Sequence, residues 1–197
     1  MRLLSQLTKY CIGKPFRDTV RETKDHTTKE AYIMKESQYL EDNEKILTDL
    51  KKMSVFEPLK QEDLKFFLKM SKLRMYKSGE TIISEGNVDA WMYFLIYGKI
   101  KIAKENREIT VLRRRGDVFG EMRFIDNSPR FASAHAEGDT VCLAVDTDHI
   151  EQLSGKDRVT FGYILYRIIS EILAERLRLV TKELIQQKGK LNIKFWE

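Results

Sequence analysis

The chain has 197 residues, 42% hydrophobic and 33% charged, enough for one well-buried core with helical extensions. Its 35 basic and 30 acidic side chains leave a net charge of +5, yet no basic run exceeds Arg113-Arg114-Arg115. The charge describes a mixed, solvated surface and argues against direct DNA binding. Cys11 and Cys142 lie far apart with no Cys-x-x-Cys partner, which speaks against a disulfide framework and for a cytoplasmic setting. No uncharged apolar stretch is long enough to span a membrane.

Residues 1–53 read as a polar, helix-prone N-terminal arm. Leu3, Leu4, Leu7, Tyr10 and Cys11 share one helical face before Gly13 and Pro15 stop the turn. Arg2, Lys9 and Lys14 flank that face, so it suits either a membrane surface or, more simply, a protein surface. Ile33, Tyr39-Leu40, Ile46-Leu47 and Leu50 give a second helical pattern among many charges.

From Leu73 to Asp146 the periodicity becomes that of strands. Trp91 to Tyr97 is an unbroken apolar run, as in a strand buried on both faces. Lys99-Ile100-Lys101-Ile102 alternates, as does Val141, Leu143, Val145. Turns at Ser78-Gly79, Gly86-Asn87, Glu105-Asn106, Arg115-Gly116 and Gly138-Asp139 cut the region into short strands suited to a β-sandwich or barrel. After Asp146 a short helix capped by Asp146-Thr147 ends at Gly155, and Asp157 caps a long one running from about Arg158 to Lys188. Within it Leu173, Leu177, Val180 and Leu184 recur at alternating spacings of four and three, a narrow seam for a partner helix or for the domain itself. The domains are therefore 1–53, 54–155 and 156–197.

The chemistry concentrates at Phe119-Gly120-Glu121-Met122, followed by Pro129-Arg130 and Ala132-Ser133-Ala134. A carboxylate accepts hydrogen bonds from a sugar hydroxyl, and a guanidinium forks onto a phosphate. Met122 to Ile125 can form one helical turn whose first N–H groups point at the same anion. Ribose and phosphate ends together make a nucleotide site. The bland alternative is that Glu121 and Arg130 pair with each other at the surface. No catalytic arrangement accompanies them: His26, His135 and His149 are scattered and no nucleophile–base pattern stands out.

This segment resembles the phosphate-binding cassette of the cyclic nucleotide-binding domains. Phe56-x-x-Leu59, Glu62-Asp63-Leu64, Leu68, Arg74, Tyr76, Gly79-Glu80, Ile82-Ile83, Glu85-Gly86, Tyr93-Phe94-Leu95, Gly98 and Gly116-Asp117 follow in the family's order, so the likeness runs from about Ser54 to Arg178. The resemblance implies an α+β fold, an eight-stranded antiparallel jelly-roll β-barrel flanked by N-terminal helices and a long C-terminal helix. It implies a non-enzymatic sensor without metal or cofactor, whose ligand is cAMP or, less favoured, cGMP.

By the same resemblance Glu121 takes the ribose hydroxyl and Arg130 the cyclic phosphate, assisted by the N–H groups of Met122 and Arg123 beside Gly120 and Ala132. Arg176 is placed to pair with Glu121, and Thr181 to contact the base. Two positions depart from the family pattern. Arg123 stands where a small residue is usual and either swings outward or supplies a second cation. Phe131 replaces the small residue after the arginine and either stacks on a base or fills the pocket. It also removes the threonine used by guanine-selective members, which tilts the reading towards adenine. The expected partners are a cyclic nucleotide, an effector protein of unknown identity and a second copy bound through the C-terminal helix. The alternative is a docking scaffold that keeps the fold without the nucleotide. A DNA-binding regulator would need a recognition helix, for which Leu191 to Glu197 are too short.

Overall fold

The computed structural model describes residues 17–21, 32–40, 44–148 and 152–191. Ten strands occur among them: β1 Arg17–Arg21, β2 Tyr32–Glu36, β3 Ser71–Tyr76, β4 Thr81–Ile83, β5 Trp91–Tyr97, β6 Ile100–Lys104, β7 Arg107–Leu112, β8 Val118–Phe119, β9 Ser133–Ala136 and β10 Thr140–Asp146. The helices are α1 Glu44–Lys51, α2 Gln61–Lys69, α3 Met122–Asp126 and α4 Gly155–Leu191. All strand pairings are antiparallel. One sheet has the order β1-β2-β3-β10-β5-β8 and the other β4-β9-β6-β7.

The layering follows from alternation along two central strands. Met92, Phe94 and Ile96 of β5, with Val141, Leu143 and Val145 of β10, face a core shared with the helices. Tyr93 and Leu95, with Cys142 and Ala144, face a second core between the two sheets, completed by Ile82, Ile83, Ile100, Ala134 and Ala136. The uninterrupted apolar run of β5 is thus explained: successive side chains point to opposite faces and both are dry. Cys142 lies in this second core, and burial pushes its thiol well above the usual range, so it is an inert packing group.

The helical layer closes over the large sheet. Ile46, Leu47 and Leu50 of α1 and Leu64, Phe67 and Leu68 of α2 are buried at helical spacing. Phe161, Ile164, Leu165, Ile168 and Ile169 continue the layer from α4. Phe67 is the hub. Its ring stacks on Phe161 at 5.6 Å, meets Phe94 edge-on at 5.5 Å and touches Phe56 at 5.3 Å, so one side chain joins α2, α4 and β5.

Several expectations need correction. The strands form two sheets, and no ladder joins them among the described residues, in place of a closed eight-stranded barrel. The arm is not wholly helical: Ile33 lies in β2, which pairs with β1 and then joins β3 through Lys35–Met75 and Glu36–Arg74. Thr19-Val20 and Tyr32-Ile33 are strand-favouring pairs, and the open edge of β3 supplies the backbone partners that a lone hairpin would lack on that side. Only the Ile46–Leu50 part of that pattern is helix. The long helix begins at Gly155, ahead of Asp157. Thr147 donates its hydroxyl to the Ala90 carbonyl at 2.6 Å instead of serving only its own turn. The short helix expected after it falls largely on 149–151, and the Leu3–Cys11 face also lies outside the described residues.

The junction of β2 with β3 is reinforced by charge. The Glu36 carboxylate accepts from Lys72 Nζ at 2.7 Å and Arg74 Nε at 2.6 Å. Arg74 is buried, its guanidinium 3.6 Å over the Trp91 ring and one N–H on the Tyr93 hydroxyl. Burial alone would raise the Glu36 carboxyl, but the Arg74 charge and the two hydrogen bonds hold it below the ordinary value of 4.5.

Replacing Phe67 with Ala should cost about 3–5 kcal/mol in chemical denaturation, because three elements lose one shared ring. Glu36→Gln should destabilise by about 1–3 kcal/mol at neutral pH. A depressed carboxyl stabilises above its unfolded pKa and loses that contribution as pH falls through the folded value. The deficit of the Gln variant should therefore shrink below about pH 4, read from melting temperatures across a pH series.

Candidate functional site

The site is built where three segments converge: the loop before β5, the turn between β8 and α3, and the strand-like approach to β9. Gly120 makes the turn. Its φ of +77° suits glycine, and a Cβ there would stand 2.9 Å from Arg130 Nη1 and 3.1 Å from the Trp91 carbonyl. Glu121 follows and opens the one-turn helix α3, which ends at Asn127 in the left-handed conformation. Arg130 then returns into the same space, fixed by backbone bonds from its N–H to the Asn87 carbonyl and from Gly86 N–H to its own carbonyl, both 2.9 Å.

Both charges are buried, Glu121 to 2% exposure and Arg130 to 5%, so each must be paired. They do not pair with each other. Arg130 donates Nε to Asp89 Oδ2 at 3.2 Å, Nη2 to Asp89 Oδ1 at 2.5 Å and to the Trp91 carbonyl, and Nη1 to the Gly120 carbonyl at 2.7 Å. These four bonds use four of the five guanidinium N–H groups and leave one, on Nη1. Glu121 Oε1 accepts from Nη1 of Arg176, whose Nη2 donates to the Val118 carbonyl. Arg176 therefore reaches from α4 across the turn and fastens the helix to the site.

The remaining candidates separate. Arg123 points away: its Nη1 donates to the carbonyls of Asn127 and Ser128, both at 3.3 Å, closing the C-terminal end of α3. Met122 is exposed, and Ala132 is half-buried ahead of β9. Phe131 is 53% exposed, with Lys104 Nζ 4.3 Å from its ring centroid. Thr181 belongs to another neighbourhood, an apolar groove on α4 with Ala174, Leu177, Arg178, Lys182, Ile185 and Gln186.

Asp89 and Lys104 carry no signal of their role in the sequence alone. Asp89 lies 41 residues from Arg130, in a loop marked only by a cluster of turn residues. Lys104 ends an alternating strand, where a lysine reads as ordinary solvent-facing polarity. Among the described residues no group of His, Cys, Asp and Glu is placed to hold a metal ion.

Residues 73–157 match the family model of the cyclic nucleotide-binding domain. The chain is 29% identical over 144 residues to a cGMP-dependent protein kinase of Toxoplasma gondii, covering 73% of this chain and 14% of that one. It is 31% identical over 100 residues to a cAMP-dependent protein kinase regulatory subunit of Mycosarcoma maydis, covering 49% of this chain and 18% of the relative. It thus spans only a small part of the length of the curated relatives it matches. Among solved structures, the Thermus thermophilus catabolite activator protein superposes with a TM-score of 0.54 at 26% identity, over 68% of this chain and 62% of that one. The cAMP-bound regulatory domain of Toxoplasma gondii protein kinase A shares the fold, with a TM-score of 0.53 at 18% identity, over 66% and 48% of the two chains. The glycine turn, the buried Glu121 and Arg130 and the one-turn helix between them all fall inside the matched span, so residues 73–157 carry the chain's likeness to the cyclic nucleotide-binding domains.

Proposed function

We propose that the chain is a non-enzymatic sensor that binds a cyclic purine nucleotide between Glu121 and Arg130 and passes the event to a partner through α4. The observation that carries this reading is the burial of a carboxylate and a guanidinium on either side of a one-turn helix, within the family-matched span. Glu121 would accept from the ribose hydroxyl. Arg130 would give its remaining Nη1 N–H to the phosphate, with the N–H groups of Met122 and Arg123 adding to it. The names of the relatives divide between cGMP- and cAMP-dependent kinases, and the missing threonine after Arg130 favours cAMP on sequence grounds. A kinase-like effector fits these relatives, and a cytoplasmic setting fits a regulatory module of this kind. Among the described residues no helix is long and apolar enough to cross a membrane.

The transmission route is the Arg176–Glu121 pair. A nucleotide can move α4 only by binding its two positions with different affinity, and a ribose hydroxyl competing for Glu121 supplies such a difference. Beyond Ile172 the helix carries Leu173, Leu177, Val180 and Leu184 exposed, so this seam is open for a second copy or an effector helix. One observation favours the scaffold reading: both site charges already have in-chain partners.

Calorimetric titration with cAMP and cGMP tests the sensor. Micromolar or tighter binding is expected, weakened about tenfold to a few hundredfold by Arg130→Lys, which keeps the charge and loses the fork. No heat and no thermal shift at millimolar nucleotide would favour the scaffold. Leu177→Asp with Leu184→Asp should leave the fold intact by circular dichroism, because both side chains are exposed. If the seam joins two copies, sedimentation should show the wild-type dimer shifted to monomer in this variant.

A further inference from the structure

We infer that Glu36, Arg74 and Trp91 are positioning residues for Arg130, so that docking of β2 on the large sheet sets the affinity of the phosphate end; the inference rests on the nucleotide-binding reading above. The end of β2 meets β3 at two ladder positions, Lys35 with Met75 and Glu36 with Arg74. Ser37 continues the attachment: its N–H donates to the Leu73 carbonyl and its hydroxyl accepts from the Leu73 N–H, both at 2.9 Å.

Glu36 does more than close this junction. It holds Arg74 at Nε, and the guanidinium lies 3.6 Å from the centre of the Trp91 ring while Nη1 donates to the Tyr93 hydroxyl at 2.9 Å. It also holds Lys72, whose ammonium stands 5.6 Å from the same Trp91 ring. Arg74 is buried, where a cation over an aromatic face is strongest.

The two aromatic residues on Arg74 lead to the walls of the site. Trp91 serves Arg130 twice through its backbone. Its carbonyl accepts from Nη2, and its N–H donates at 3.2 Å to Asp89 Oδ1, the oxygen that Nη2 meets at 2.5 Å. Tyr93 stacks on Phe119 at 5.0 Å, and Phe119 precedes Gly120, whose carbonyl takes Arg130 Nη1 at 2.7 Å. Each acceptor of Arg130 thus lies in, or within two residues of, a ring in this chain of contacts. The remaining Nη1 N–H is aimed in advance because the other bonds hold the guanidinium still, which spares a ligand the cost of ordering it. Freeing the Trp91 ring loosens its carbonyl and Asp89 together, and the fork loses its aim. The coupling is reciprocal: a nucleotide that fixes Arg130 also steadies β2.

The test is calorimetric titration of the full chain with cAMP and cGMP, comparing wild type, Glu36→Gln, Trp91→Leu and each of these combined with Arg130→Lys. Both single variants should bind both nucleotides about 2- to 30-fold more weakly. Each penalty should vanish in the Arg130→Lys background, where the fork it supports is gone, whereas a merely structural role would weaken binding equally in the two backgrounds. Trp91→Leu leaves the Glu36 ion pairs in place and carries the test should Glu36→Gln unfold. In wild type, which needs no substitution, saturating nucleotide should slow amide exchange in residues 32–36 by a comparable factor. Affinity unchanged in the variants, equal penalties in the two backgrounds, or exchange in 32–36 indifferent to bound nucleotide would overturn the positioning role while leaving the nucleotide site standing. No binding of either nucleotide by wild type would overturn the sensor reading and this one with it.

Discussion

A buried guanidinium must have nearly all its N–H groups satisfied, and at Arg130 that demand organises the junction between the two sheets. Its acceptors come from Asp89 and Trp91 at the start of β5 and from Gly120 after β8. Arg130 itself leads into β9. The strands flanking these groups belong to different sheets, and those sheets share no ladder among the described residues. The arginine is therefore a polar rivet set into the edge of an otherwise apolar junction. It also explains the glycine at 120: any side chain there would collide with the guanidinium and with the Trp91 carbonyl that the guanidinium serves.

Burial of charge recurs as the organising device elsewhere, each time at the margin of a layer. Glu36 with Lys72 and Arg74 holds the added strand β2 to the large sheet, and Arg176 with Glu121 holds α4 to the site. The apolar cores supply the bulk of the stability. The ion pairs, being geometrically demanding, fix which segment lies where. Arg74 and Arg130 even share a residue, since the ring of Trp91 carries one guanidinium and its carbonyl the other.

Much of this is legible in the sequence because it is written in local periodicity. The double-sided run of β5, the alternation of β10 and the buried stripe of α4 each follow from nearest neighbours along one element. The Gly120–Glu121 turn and Arg130 are legible because their types and spacing carry a chemistry. What escapes such a reading is nonlocal. The strands β1 and β2 are short and mixed in polarity, and they exist because the edge of β3 offers them partners. Asp89 and Lys104 acquire their roles only through residues far along the chain. Arg123 is ambiguous in sequence because its alternatives differ by a rotamer, which the C-terminal carbonyls of α3 decide.

The length of α4 makes it a lever. Arg176 ties it to Glu121, and the helix continues to Leu191, about 22 Å farther at 1.5 Å per residue. Up to Ile172 the helix is packed on the domain, so a bend near Arg176 moves only the exposed length beyond it. A tilt of about 10° at the Arg176 pivot carries the far end about 4 Å, most of the pitch of one helical turn. On the proposed sensor reading, a sub-ångström rearrangement around Glu121 would be read out as a displacement large enough to change which side chains meet at the distal end.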